Sequence, residues 1–445
     1  MNIALIHFRV GETDGVSLEM DKWKNALESL GHNVFYFAGN TYDSSTYVIE
    51  ELAFDNPTDL LLADECYDKL INFNETSLEN KIKAVAKSIK EQLIHLINQL
   101  KIDIIVPNNL FALARSIPIA LGLYEAICAT GIKAVNHHHD FYWERIRYAN
   151  PTSAFVKNSL EKLFPPRDQV MKHVVINSLA KRDLKIRKGL NSTIVPNVFD
   201  FSQPIWEKDD YNCDFKSAFG LDDRHVIFLQ ATRVVNRKAI ELSIDVIAKM
   251  NQQKERYLHR KLYDGRIFDT NSEFVLLCVG MHEGTNRYEE KLKSYAEKLN
   301  VKLIMDPTKI HHTRKMIHGN KIYSLWDAYV DSDIISYPSI YEGFGNQFLE
   351  GLFAKKPMII FEYSVFQADI MSKGFEYASL GNQASEDAMG LVHAEASVID
   401  ACITSIDQYL FDSEIRKHVI DKNFELGKKY YSQETLKNLL KEIFQ

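Results

Sequence analysis

The feature that most restricts this chain is a rhythm that runs through both of its halves: short apolar runs bounded by turn residues alternate with longer amphipathic stretches. In the first half NIALIHF (2–8) is followed by a helical pattern over 18–30 and by NVFYF; DIIVP (103–107), a helical stretch over 111–130 and IKAVNHHH (132–139) continue the series. The second half repeats it with VIFLQAT (226–232), a helix near 238–252, EFVLLCVG (273–280), a helix near 287–299, VKLIM (301–305), DIISYP (333–338), a helix near 346–354 and PMIIF (357–361). Strands that alternate with helices form parallel sheets covered on both faces, and ligands of such sheets sit at the carboxyl ends of the strands. The expected fold class is therefore α/β, with two Rossmann-like halves.

At 445 residues the chain exceeds one ordinary core, and two domains is the simplest division. VPNVFDFSQPIWEKDDYNCDF (195–215) is rich in Pro, Asn and Asp and reads as the linker, which places the boundary near 205. Residues 41–80 carry ten acids against one Lys, Lys69, and precede a helical pattern over 81–100; the stretch from about 41 to 100 reads as an insertion in the first domain. Its acidity suits a solvated face, and also a lid or partner surface. SQETLKNLLKEIFQ, with Ser432 ahead of a helical apolar pattern, predicts a C-terminal helix within 426–445, after a second domain over 206–425.

Apolar residues make up 46% and charged residues 25%, the balance of a globular protein, and the net charge of −7 argues against a chain-wide grip on nucleic acid. Five widely spaced cysteines, with no C-x-x-C, read as reduced thiols. The first apolar run lacks the basic start and cleavage site of a signal peptide, and no stretch reaches the roughly 20 apolar residues of a membrane span. A cytoplasmic location is expected.

The stretch PSIYEGFGNQFLEGLFAKKP (338–357) is the most informative for chemistry. Glu342 and Glu350 are separated by seven intervening residues, Gly343 and Gly345 follow the first, and a helical pattern opens near Asn346. Glycines let backbone amides approach an anion, and a helix start adds unpaired N–H groups and a positive dipole end. Eight positions span roughly 12 Å of helix, so the two carboxylates suit opposite ends of an elongated polyhydroxylated ligand; a plain helix cap with two solvated acids fits the spacing as well. In LQATRVVNRKAIELSI (229–244), Arg233 and Lys238 follow a strand and point to a diphosphate at its carboxyl end, although basic surface residues are common.

Taken jointly, Arg233 with Lys238, Pro338-Ser339 before Glu342-Gly343-Phe344-Gly345 and Glu350, and Pro196-Asn197 closing the first domain, give a chain that resembles the family 4 glycosyltransferases of the GT-B fold over nearly its whole length. The resemblance implies two Rossmann-like domains facing across a cleft, with the C-terminal helix crossing back to the first. It implies a nucleotide diphosphate sugar as co-substrate, UDP- or GDP-linked and carrying glucose or mannose, no metal or other cofactor, and retention of anomeric configuration without a protein nucleophile. Arg233 and Lys238 would bind the diphosphate, and Glu342 would meet the transferred hexose. The amides of Gly343, Phe344 and Gly345, with Asn346, would lie near sugar and phosphate, and Glu350 would meet the ribose.

In the first domain, Arg9-Val10-Gly11-Glu12-Thr13-Asp14-Gly15 resembles the family's glycine-containing loop, with Gly11 and Gly15 facing the donor. Asn136-His137-His138-His139-Asp140 ends a strand where the family often carries a donor-facing His. His139 is the first choice for a catalytic role, with His138 beside the donor. Consecutive strand residues alternate faces, which argues against the three histidines holding a metal. Asp140-Phe141-Tyr142-Trp143-Glu144-Arg145 suits either the acceptor side or aromatic packing. Residues 157–188 gather nine Lys/Arg against three acids, a face suited to peripheral contact with anionic lipid, to an anionic acceptor or simply to solvent.

Two positions depart from the family pattern: Ala239 stands where Gly is common, and Asn346-Gln347 where apolar residues often follow the glycine. Asp331-Ser332-Asp333 matches a D-x-D metal motif of another glycosyltransferase fold, but precedes a strand, where the resemblance makes Asp333 structural. No G-x-G-x-x-G follows the first strand, and no G-x-x-x-x-G-K-[ST] or G-x-S-x-G occurs. The expected function is transfer of a hexose to an acceptor hydroxyl, the acceptor being a sugar, small molecule, lipid or protein. A disaccharide phosphorylase and a non-catalytic sugar-binding protein are the alternatives.

Overall fold

The computed structural model describes residues 1–11, 15–280 and 287–445, and the chain divides into two units, Met1–Val198 with Gln433–Gln445, and Phe199–Ser432. The first unit is built on a seven-stranded parallel sheet in the order Tyr47–Val48, Asn33–Ala38, Asn2–Ile6, Ile104–Pro107, Lys133–His138, Met171–Val175, Thr193–Ile194. Its central strands Asn2–Ile6 and Ile104–Pro107 are apolar on both faces because both are covered. Ile3 and Leu5 join Trp23 and Leu27 of the helix Gly15–Ser29 on one side, whereas Ala4 and Ile6 join Ile82, Leu93 and Leu123 on the other. The first of these cores also takes Leu436, Leu440, Ile443 and Phe444 from the helix Gln433–Phe444.

Capping chemistry corrects two expected helices. The helix expected at 81–100 starts earlier, at Glu75, because Asn74 and Ser77 form a reciprocal capping box, and runs to Gln99. The one expected over 111–130 starts only at Ile117, where Ser116 caps it and Pro118 occupies the first turn, and it ends at Gly131 in the left-handed conformation.

The acidic stretch read as an insertion is woven into the unit. Tyr47–Val48 adds the edge strand, and Leu62, Cys66 and Tyr67 of the helix Pro57–Tyr67 lie in the core. Two of its acids are themselves buried: Glu65 accepts the N–H groups of Ile71 and Asn72, and Asp59 accepts the Ser116 hydroxyl. The expected linker is likewise packed. Val195 and Val198 belong to the first unit's core, while in the second unit Phe199 packs on Phe353 at 5.0 Å and Trp206 stacks on Trp326 at 4.2 Å. The aromatics within that Pro- and Asp-rich stretch outweigh its turn composition.

The second unit holds a six-stranded parallel sheet in the order Lys302–Met305, Glu273–Cys278, His225–Gln230, Ile334–Tyr337, Met358–Ile360, Ala378–Ser379. Asp333 starts its fourth strand. One carboxylate oxygen accepts the Ile227 N–H at 2.7 Å and the other accepts the Tyr263 hydroxyl at 2.9 Å and pairs with Arg266. Asp331 pairs with Lys208 at 2.6 Å, so both carboxylates of the D-x-D match are engaged by protein groups. Asp333→Ala strands a buried N–H and a half-buried guanidinium, and we expect a loss of about 3 kcal/mol in urea unfolding; a loss under about 1 kcal/mol would contradict this role.

Candidate active site

In each sheet the first strand lies between the second and the fourth, so the connections that leave the carboxyl ends of the first and fourth strands run in opposite directions. Loops diverge at such a switch point and leave a crevice, which is where ligands of doubly wound sheets bind. In the second unit the two loops concerned follow His225–Gln230 and Ile334–Tyr337, and they carry the residues singled out from the motifs.

The first loop passes close under Gly280, where an added Cβ would stand 1.8 Å from the Thr232 carbonyl oxygen. It then forms a short turn over Asn236–Lys238, tied to the second loop by the Ile340 N–H donating to the Arg237 carbonyl at 3.0 Å. Lys238 is buried and its ammonium pairs with Glu342, also buried. Arg237 donates to the other Glu342 oxygen at 2.7 Å and to the Tyr341 carbonyl at 3.1 Å. Burial alone would raise the Glu342 carboxyl, yet the Lys238 and Arg237 charges hold it below its ordinary value, so it stays ionised. Arg233 is exposed, with its charge close enough to contribute to lowering the Lys238 ammonium, whose burial is the larger cause. Ala239 occupies the left-handed region at φ 46°, which accounts for glycine being common there.

Gly345 caps the helix Asn346–Phe353 at φ 121°. A Cβ there would meet the Tyr337 hydroxyl at 2.3 Å and that of Tyr363 at 2.6 Å. Tyr363 also donates to the Phe344 carbonyl and Phe344 is buried, so the Gly343–Gly345 turn is fixed from below by two tyrosines. Glu342 precedes the helix and only Glu350 lies on it, so the axial 12 Å expected between them does not apply. Glu350 accepts the Tyr329 hydroxyl at 2.6 Å. Gln347 points inward, with its amide donating to the Ser336 carbonyl at 3.2 Å; this departure serves packing against the fourth strand.

In the first unit Gly11 lies at φ 77° and Gly15 opens its helix, while Glu12, Thr13 and Asp14 fall outside the described residues. The three histidines alternate as strand geometry requires. His137 stacks on Trp23 at 4.3 Å, lies 4.2 Å from His139 and bonds the Asn108 side chain at 3.1 Å. His138 is buried on the other face, its Nε2 3.0 Å from Nδ1 of His173. Burial keeps both of those rings neutral, with His173 pushed down to about 4. The expectation that His138 lies beside the donor is corrected accordingly, and only His139 keeps an accessible flank. Its N–H and that of Asp140 both donate to Asn109 Oδ1 at 3.1 Å.

The aromatic segment packs internally: Phe141 is buried and stacks on Trp143 at 4.3 Å. The basic face at 157–188 is thinner than its composition suggests, since Lys188 is buried on the Leu160 and Glu161 carbonyls and Lys172 reaches the Ile443 carbonyl. Three participants were missed from sequence: Arg237, Asn108 and Asn109. The Asn pair carried a signal in its position directly after a strand, whereas Arg237 carried none.

Two doubly wound units of the same strand order, with ionised groups at the switch point of the second, are the architecture of GT-B glycosyltransferases. Solved structures agree on the fold: sucrose-phosphate synthase of Thermosynechococcus elongatus matches with a TM-score of 0.61 and 13% identity over 100% of this chain and 98% of that one, and Anabaena HepE in complex with UDP and glucose with 0.58 and 13% over 100% and 99%. Residues 214–425 match the family of glycosyl transferases group 1. The chain is 40% identical to the mannosylglucosylglycerate synthase of Petrotoga mobilis over 97% of its own length and 98% of that protein's, and 36% identical to that of Thermotoga maritima over 99% of both. The chain belongs to the same glycosyltransferase family as these two synthases, and it is a hexose-transferring enzyme.

Proposed function

We propose that the enzyme transfers a mannosyl group from a nucleoside diphosphate mannose to a hydroxyl of glucosylglycerate, with retention and without a metal ion, as a family 4 enzyme. The observation that carries this reading is the buried Lys238–Glu342 pair, joined by the half-buried Arg237, at the second unit's switch point, together with near full-length similarity to synthases of that product. Lys238 and Arg233 neutralise the diphosphate, a task that a divalent ion would otherwise perform. Glu342, held ionised by its two cations, meets the mannosyl hydroxyls. The amides of Gly343, Phe344 and Gly345 and the helix start at Asn346 face the distal phosphate, while Glu350 meets the ribose and His139 the sugar. The bond between the sugar's anomeric carbon and the phosphate oxygen breaks, the acceptor oxygen bonds to that carbon on the same face, and the acceptor proton passes to the departing diphosphate.

Cytoplasmic action is part of the proposal, supported by five unpaired cysteines; among the described residues no helix is long and apolar enough to cross a membrane. The test incubates purified enzyme with glucosylglycerate and GDP-mannose, UDP-mannose or UDP-glucose, with and without EDTA, and follows the product by anomeric NMR. Mannosylated product of the donor's configuration, formed equally in EDTA, is the expected result. Strict metal dependence, inversion, or turnover only by phosphorolysis of a disaccharide would each overturn its part of the reading.

A further inference from the structure

The second unit holds a cavity of about 320 Å³ whose walls include Lys356, two residues ahead of the strand Met358–Ile360, and Arg416, whose Nη2 donates to the carbonyl of Asp333, the residue before Ile334. The cavity therefore lies at the amino ends of these strands, whereas the Glu342 loop leaves the carboxyl end of Ile334–Tyr337. Four of its lining residues are cationic, Lys355, Lys356, Arg416 and Lys417, and none is acidic. Lys355 and Lys417 share Asp421, at 3.4 Å and 2.5 Å. Arg416 is buried and donates to the Tyr409 and Asp333 carbonyls at 3.3 Å and 2.9 Å, while the half-buried Lys356 donates to the Val330 and Ser332 carbonyls at 3.0 Å and 2.7 Å. Among the described residues neither of these two cations has a carboxylate within ion-pairing distance. Asp333, whose charge both feel, is engaged by the Ile227 N–H, Tyr263 and Arg266. Burial lowers both groups below their ordinary values, Lys356 to about 8, and the Arg416 charge lowers Lys356 further.

Two cations held together away from water and bonded to neutral carbonyls leave positive charge uncompensated. A guanidinium has five N–H groups and an ammonium three, and the bonds above use two in each case. The remaining hydrogens suit a phosphate group, which accepts several charge-assisted bonds at once. The cavity is of small-molecule size, and Trp206, Tyr263 and Tyr329 give it an aromatic wall for a carbon skeleton. Arg416 lies over the Tyr263 ring, 3.5 Å from its centroid, which fixes the plane of the guanidinium. We propose that this cavity is a second ligand site, which takes the phosphate group of a small molecule on Arg416 and Lys356. Tyr329 joins it to the reaction: it lines the cavity, and its hydroxyl donates to Glu350 at 2.6 Å. A ligand that holds Tyr329 in place holds Glu350 too and so favours donor binding, a coupling that rests on the ribose role proposed for Glu350 above.

The test titrates inorganic phosphate and glucose 6-phosphate, with neutral glucose as the control, into enzyme saturated with the donor's nucleoside diphosphate, which fills the switch-point crevice, at constant ionic strength. One site per chain is expected for the anions and none for glucose, and the tighter of the two anions names the source, free phosphate or an ester. Lys356→Met and Lys417→Glu weaken the site about 10-fold or more, the scale of a lost charge-assisted bond, while kcat without added phosphate stays at the wild-type value. In turnover, glucose 6-phosphate lowers the donor KM about fivefold, whereas a competitor at the crevice would raise it. Tyr329→Phe keeps the binding and loses the KM shift. Melting curves identify any variant that fails to fold; should Lys356→Met fail, Lys417→Glu, at an exposed position, carries the test. No binding to the wild type, or equal binding by the folded variants, overturns the site. Binding with a donor KM that is unchanged or raised overturns the coupling. An enzyme that uses no nucleotide sugar refutes the function proposed above and leaves the titrations of wild type and variants to judge this site.

Discussion

Lys238→Ala lowers kcat by about 100- to 1,000-fold, the range for removing one electrostatic contact to developing charge. It also destabilises the protein by about 3 kcal/mol, because a buried carboxylate loses a buried cation and keeps only Arg237. The two separate in the double variant Lys238→Met/Glu342→Gln, which buries no unmatched charge, and which therefore regains most of the melting temperature while staying inactive. The wild-type pair depends on Glu342 being ionised. With its folded value below the ordinary 4.5, its contribution is present above that pH and is lost as the pH falls through the lower folded value. A folded Lys238→Ala enzyme within tenfold of wild-type kcat would remove Lys238 from the reaction.

Gly345→Ala has a comparable effect by a different route. The new Cβ would stand 2.3 Å from one tyrosine hydroxyl and 2.6 Å from another, at a φ that L side chains rarely adopt. The turn must move or the tyrosines must leave their places, at a combined cost of about 2–6 kcal/mol for strain and overpacking. We expect a lower melting temperature and activity reduced at least 100-fold, since the displaced turn carries Gly343 and Phe344 and opens the helix at Asn346. Adding Tyr337→Phe removes the nearer clash and leaves the backbone strain, so stability returns in part. Unchanged kinetics and melting in Gly345→Ala would show that the turn is not held as described.

Much of the fold was readable because doubly wound sheets write themselves as apolar runs. Strands such as Asn2–Ile6 and Glu273–Cys278 are covered on both faces and need no alternation to be seen. Misreadings arose where local chemistry outweighed composition. Acids at 41–80 suggested a solvated insertion, but Leu62, Cys66 and Tyr67 on one helix face place that segment in the core. Prolines and acids at 195–215 suggested a boundary near 205; the units divide within that stretch, between Val198 and Phe199, because Phe199 and Trp206 pack into the second unit. At the site, the glycines and glutamates of 342–350 were legible because special φ and buried charge demand special residues. Arg237 was not, because nothing in a run of basic residues tells which one folds back onto a carboxylate 105 positions away. His138 was misassigned for a related reason: three identical neighbours carry no sign of which sheet face each will take.

The first unit takes its last core helix, Gln433–Phe444, from the far side of the second unit's sequence. During synthesis, residues 1–198 emerge first but cannot close their core. Leu436, Leu440, Ile443 and Phe444 must leave the ribosome before the apolar face around Trp23 is covered. The second unit has all its residues out before then, so the order of completion on the ribosome is the reverse of the order of translation. Throughout that interval the early half is a client for whatever shields exposed apolar surface in the cell.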